Sequence, residues 1–179
     1  MKDKIDKLLH SKLFWLCFLV IVLAFLVRGI AIEQIQISGI SMSPTLENGD
    51  MVLVEKISYR QKQPERNDIV VFSVKNQEKK KQYVKRVIGL PGERVQIKDG
   101  LVYIDGEFLK EDTQCEAIMD AGMAQEEIVL GEDEYFVLGD NRNFSEDSRD
   151  VIIGIVNQKQ IKGKVCFRIL PFGRRGKVE

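Results

Sequence analysis

Three stretches of the chain have the makings of a reaction centre. The first, Ser38-Gly39-Ile40-Ser41-Met42-Ser43-Pro44-Thr45-Leu46, sets a small hydroxyl, Ser41, after a flexible glycine and ahead of a turn-forming Ser-Pro pair. The second, Tyr83-Val84-Lys85-Arg86-Val87-Ile88, places a lysine inside an apolar, strand-like run. The third runs from Gly139 to Arg149; its alternating charges, Asp140, Arg142, Asp147 and Arg149, suit a loop that pairs with itself and is rigid. A serine needs a base to act as a nucleophile at neutral pH. A lysine removed from water is pushed toward its neutral form, and a neutral amine can accept the serine proton. Taken singly, the three also read as an ordinary turn, a wet strand lysine and a polar loop.

Composition narrows the chemistry. Lys plus Arg equals Asp plus Glu at 27 each, so no overall field favours nucleic acid. The only histidine, His10, lies before an apolar segment, which rules out a Ser-His-Asp triad in the remainder of the chain. Cys17, Cys115 and Cys166 have no metal-binding spacing. A Cys115 to Cys166 disulfide and two free thiols both fit the sequence.

The elements that must position these residues follow from the hydropathy pattern. Residues 1–12 carry Lys2, Lys4, Lys7 and Lys12, and Leu13 to Val27 then run fifteen residues without a charge. Beyond Arg28 the apolar run resumes to Ile32, giving about twenty residues, enough to cross a bilayer with Arg28 at the interface. The basic flank favours a cytoplasmic N-terminus. A cleavable leader ending at Gly29-Ile30-Ala31 is the competing reading; Trp15 and the extension to Ile32 favour an uncleaved anchor over 13–32. The rest, 33–179, is roughly 145 residues, enough for one core.

In that part the period is two. Ile35 and Ile37 alternate with Gln34 and Gln36, and strand signals recur at Met51–Val54, Ile69–Phe72, Tyr83–Ile88, Val95–Ile97, Val102–Ile104, Tyr135–Leu138 and Val165–Leu170. Asp99-Gly100 and Asp105-Gly106 predict two-residue hairpin turns. Lys75 to Gln82 reads as a solvated loop and Glu116 to Glu127 as a helix. The expected fold is mostly β, an antiparallel extracytoplasmic domain behind one transmembrane helix.

Together the motifs resemble the type I signal peptidases, the Ser-Lys proteases of peptidase family S26. The resemblance is carried by Ser41-Met42-Ser43-Pro44-Thr45-Leu46, Gly49-Asp50 with Val54 and Lys56, Lys85 to Glu93, and Gly139 to Arg149, in the family's order and behind an N-terminal apolar segment. It implies that Ser41 is the nucleophile and Lys85 the general base. It also implies that Ser145 hydrogen-bonds the lysine, and that Asp147 and Arg149 hold that serine. Two residues before the nucleophile, where some members carry a hydroxyl for the oxyanion hole, this chain has Gly39. Ile35, Ile37 and Gly39 share a strand face leading to Ser41, and with Met42, Leu46, Tyr83 and Val84 they match the lining of shallow substrate pockets that take small side chains.

The implied activity is removal of signal peptides from secretory precursors at Ala-x-Ala sites by a membrane-bound enzyme. The partners would be those precursors and the lipid bilayer, with no nucleic acid, no obligate protein partner, and no metal or cofactor. Other serine-lysine arrangements fit less well. Self-cleaving proteases of the phage-repressor type carry a DNA-binding domain where this chain has its apolar segment. A penicillin-binding enzyme would place lysine three residues after serine, and position 44 is proline. A membrane-tethered β adhesion domain is the non-enzymatic alternative.

Overall fold

The computed structural model describes residues 12–20, 31–76, 79–111 and 115–178. The described residues form twelve strands: β1 Ile32–Gln36, β2 Met51–Glu55, β3 Ile69–Asn76, β4 Lys79–Gly89, β5 Arg94–Lys98, β6 Leu101–Ile104, β7 Glu107–Phe108, β8 Ile128–Val129, β9 Glu134–Leu138, β10 Val156–Asn157, β11 Ile161–Leu170 and β12 Gly176–Lys177. Seven line up as β1-β2-β11-β3-β4-β9-β10, with β12 on β11, and the other four form a small sheet ordered β7-β6-β5-β8. The pairings among them are antiparallel.

The run Ile69-Val70-Val71-Phe72 shows why β3 sits in the middle of the large sheet. Its β-branched and aromatic side chains suit an extended backbone. Alternation sends Ile69 and Val71 into a core shared with Ile37, Met42 and Leu46, and sends Val70 and Phe72 into a second core with Tyr135 and Val137. Each side chain so buried contributes about 1.5–3 kcal/mol, so β3 holds both faces together. A third core, around Ile88, Val95, Ile97 and Phe136, joins the small sheet to the end of β4. Both hairpin turns expected from sequence are present: Asp99 and Gly100 have φ of 50° and 77°, and Asp105 and Gly106 have 52° and 83°. Two consecutive left-handed residues define the turn whose twist matches the flanking strands.

Four expectations need correction or limits. Lys79–Lys81 belong to β4 rather than a loop, since pairing with β3 continues to Asn76↔Lys79. Strand pairing uses backbone groups, so a lysine run does not interrupt it. The helix expected over Glu116–Glu127 is absent; only Gly122–Gln125 forms a 3-10 turn. Gly122 has a φ of 51°, off the helical region, and Ile118 and Ala124 instead anchor an irregular strap to the small-sheet core. Within the predicted span 13–32, residues 12–20 are helical and apolar side chains from Leu13 to Val20 are exposed, while residues 21–30 lie outside those described. Among the described residues no helix is long and apolar enough to cross a membrane. Finally, Cys17, Cys115 and Cys166 are not disulfide-bonded.

The strands β7, β8, β10 and β12 are two residues each, too short to carry a periodicity in the sequence.

Candidate active site

The chain leaves the end of β1 at Gln36 and turns through residues 38–49 before returning as β2. Ile37 closes this excursion: its N–H donates to Asp50 O at 2.8 Å, and its carbonyl accepts from Gly49 N–H at 2.9 Å. Gly39 takes a φ of 95°, a conformation that disfavours any side chain, and its N–H donates to Asn48 Oδ1 at 3.0 Å. Inside the turn Ser43 N–H donates to Ile40 O at 3.0 Å, and Leu46 N–H to Met42 O at 2.8 Å. Met42 and Leu46 plug this turn into the core, leaving Ser41 on its outer side.

Lys85 reaches Ser41 from β4, 44 residues away in sequence. Its Nζ donates to Ser41 Oγ at 2.6 Å. The residue is only 3% exposed. Burial pushes the ammonium down to about 8; the Asp147 and Glu146 carboxylates work against this, and Lys81 adds to it. Desolvation therefore outweighs the neighbouring negative charges. The arrangement yields a weakly basic amine in contact with a hydroxyl.

The third stretch forms the other wall. Asn141 N–H donates to Ser41 O at 3.1 Å, and its side-chain amide donates to Ile40 O at 3.2 Å, which ties the 139–149 loop to the serine turn. Asp147 receives Arg149 Nε at 2.8 Å and Gly139 N–H at 3.1 Å, as the expected Asp147 with Arg149 pairing requires. The loop is not paired only with itself, however. Asp140 receives Arg86 through Nε and Nη2 at 2.7 and 2.8 Å, and Arg142 pairs with Glu111. Arg86 pairs with Leu138 across β4 and β9, so its inward guanidinium meets the carboxylate two residues further on. Such partners are chosen by burial and register.

Ser145 Oγ is buried and has no hydrogen-bond partner among the described residues, so the bond to Lys85 implied by resemblance is not formed here. A Cβ at Gly139 would strike both the Ser145 hydroxyl and the Ser41 carbonyl oxygen.

A cleft of about 390 Å³ opens beside Ser41 and Lys85. Six of the expected pocket residues, Ile35, Ile37, Gly39, Met42, Tyr83 and Val84, line it. Leu46 does not; it is completely buried in the core, because the turn that exposes Ser41 directs Leu46 inward. Eight further lining residues were not expected there, among them Lys81, Phe144 and Glu146. Lys81 pairs with Glu146 at 3.2 Å and lies over the Tyr83 ring at 4.7 Å. Residues 81, 83 and 85 share one face of the strand, and both lysines lie over the Tyr83 ring, which is the signal that would have found Lys81. Phe144 carries no such signal.

Among the described residues, two strand edges beside this cleft carry no strand partner. Strand β1 ends the large sheet, and β4 pairs with β9 only from Arg86 onward, leaving its earlier residues bonded to β3 alone.

Comparison with known proteins agrees with this picture. The sequence model of the family described as "Signal peptidase, peptidase S26" matches residues 10–170, leaving 1–9 and 171–179 outside the match. The chain is 38% identical over 162 residues to a probable signal peptidase I-2 of Synechocystis, covering 87% of this chain and 71% of that protein. It is 36% identical over 166 residues to a signal peptidase I of Bacillus licheniformis, covering 89% and 88%. A crystal structure of a signal peptidase I from Enterococcus faecalis V583 is 34% identical, with a TM-score of 0.45, covering 58% of this chain and 97% of that one. The extent of the family match and of the two sequence alignments is decisive: the chain belongs to the signal peptidases of peptidase family S26 and is a hydrolase.

Proposed function

We propose that this protein is a membrane-bound serine endopeptidase that removes N-terminal signal peptides from secretory precursors, cleaving after small residues with a Ser41–Lys85 dyad. The observation that carries the reading is the 2.6 Å contact between Lys85 Nζ and Ser41 Oγ at a site where burial lowers the lysine pKa to about 8.

In the reactive form Lys85 is neutral, and the same short path carries the Ser41 proton to Nζ as Oγ attacks the scissile carbonyl. The negative charge that develops on the carbonyl oxygen is met by the Ser41 backbone N–H, with Gly39 supplying no side-chain donor. The protonated lysine then gives its proton to the leaving amine, which departs as the new N-terminus. Neutral again, Lys85 takes a proton from water as the water attacks the acyl carbonyl, and returns that proton to Ser41 Oγ as the ester bond breaks and the signal peptide leaves. Ser145, with its buried and unpartnered hydroxyl, is the residue we assign to orienting Lys85, and Asp147 and Arg149 are assigned to holding that loop.

Substrate would enter extended, adding its backbone to the free edges of β1 and β4. Alternate side chains would then drop between Ile37, Met42 and Val84, which limit their size. We assign residues 1–12 to the cytoplasm, 13–32 to a single membrane anchor and 33–179 to the extracytoplasmic domain. The exposed apolar helix at 12–20 and the lysines around it support that topology. An anchored enzyme would meet precursors held in the same bilayer by their own apolar segments.

The test uses detergent-solubilised protein and a precursor with an Ala-x-Ala site, with sequencing of the new N-terminus. Cleavage after the second alanine by the native protein, and none by folded Ser41→Ala or Lys85→Arg, is expected. Arginine stays protonated and cannot accept the proton. Cleavage by Ser41→Ala would end this reading.

A further inference from the structure

We propose that Arg168 and Arg174, at the C-terminal end of the chain, are positioning residues for the Ser41 turn and act on it through the buried carboxylate of Asp50. The proposal rests on the assignment of Ser41 as nucleophile and adds a part of the chain that the dyad and the 139–149 loop do not include.

Asp50 lies at the closing end of the turn that displays Ser41 and is 2% exposed. It accepts Glu47 N–H at 3.0 Å, Arg168 Nη1 at 3.2 Å and Arg174 Nη2 at 2.6 Å. Burial alone would raise its pKa; the Glu47 N–H and the two guanidinium groups overcome this and hold it below the usual carboxylate range. Arg168 Nη1 also donates to the Thr45 carbonyl at 2.8 Å, and Arg174 Nη1 pairs with Glu47 at 2.5 Å. The two arginines are themselves joined, since Arg168 Nε donates to the Arg174 carbonyl at 2.6 Å. Three residues of the turn, Thr45, Glu47 and Asp50, are therefore held from outside by one cationic unit.

Topology explains the arrangement. Strand β11 pairs with β2, with Leu170 opposite Met51, so the chain beyond β11 emerges beside the return of the serine turn. Arg174 then closes a 3-10 turn at Phe172–Arg174, in the segment beyond residue 170 where the family match ends. Hydrogen bonds within the turn fix its shape, and the contacts to Asn141 fix one side of Ser41. The arginine unit fixes the returning end of the turn, at Thr45, Glu47 and Asp50. With both held, Ser41 Oγ stays within reach of Lys85 without reorganisation when substrate binds, and displacements well under a bond length matter for such an attack.

The test measures kcat and KM for a peptide with an Ala-x-Ala site, together with thermal unfolding, on the full chain in detergent. Arg174→Met and Arg168→Met should each lower kcat about tenfold to a hundredfold with KM nearly unchanged, while the protein stays folded at the assay temperature. Arg174→Lys, which keeps the charge and one donor, should recover most of the loss. Asp50→Asn should lower kcat similarly, and Arg174→Met should add little to it, because both remove the same link. Full kcat in the two methionine variants would overturn the proposal. So would a loss that matches the unfolded fraction, a loss confined to KM, or no rescue by lysine. Ser41→Ala run in parallel separates the levels. If it is inactive while the arginine variants are unimpaired, only the positioning role fails; if it cleaves, the nucleophile assignment fails and the proposal with it.

Discussion

Gly139 is packed directly beneath Ser145, with the Ser145 Cβ 2.6 Å from where a Cβ on residue 139 would stand. The same space is bounded by the carbonyl oxygen of Ser41, so one missing side chain allows the 139–149 loop and the serine turn to meet. The obstruction is steric, because the backbone of Gly139 is not left-handed.

Gly139→Ala should therefore push Ser145 or Ser41 away from Lys85. We expect kcat to fall by about a hundredfold, the scale on which a misplacement near 1 Å acts. Peptide cleavage combined with thermal unfolding checks it, and near-native kcat in a folded variant would mean that the two loops separate freely.

For the lysine, the neutral fraction grows as pH rises through about 8, so activity should climb with an apparent pKa near that value and not near the ordinary 10.5. The sign for stability is the same: between about 8 and 10.5 the unfolded chain binds the proton that folded Lys85 has lost, so stability rises with pH across that window. The rim pair tunes the midpoint in opposite directions. Glu146→Gln removes a charge that raises the Lys85 pKa and should move the profile to lower pH, whereas Lys81→Met should move it to higher pH. Both side chains are largely exposed, so the shifts should shrink in high salt. Parallel movement of both variants would contradict the electrostatic account.

The Arg86 to Asp140 pair is almost fully withdrawn from water, with side chains 3% and 1% exposed. Removing the Asp140 charge takes the carboxylate from a buried guanidinium that keeps its bond to the Asn67 carbonyl at 2.9 Å, which costs about 3–5 kcal/mol. Asp140→Asn should lower the denaturant midpoint accordingly, and an unchanged midpoint would show that the arginine finds a substitute.

Specificity should respond to Ile37→Ala and Val84→Ala, since both residues line the cleft and both also touch the core below the serine turn. Each should relax the preference for alanine at the cut, with a stability loss of roughly 1–3 kcal/mol. Cleavage profiling on a peptide library decides it: an unaltered preference in both folded variants places the size filter elsewhere.

The sequence by itself determined the features that depend on neighbours along the chain. The β-branched and aromatic runs Ile69–Phe72 and Tyr83–Ile88 marked strands, and Asp-Gly pairs marked two turns because few other residues tolerate consecutive positive φ. The order of the serine, lysine and Gly139–Arg149 motifs pointed to the family. Tertiary structure alone decided which groups meet. Lys85 touches Ser41 because β4 passes beside the turn, Arg86 takes Asp140 and Arg142 takes Glu111, and Leu46 faces the core while Met42 lines the cleft as well. Local periodicity depends on propensity and backbone geometry within a few residues. Ion-pair choice depends on which charges lose their water together, and that is set only when distant strands pack.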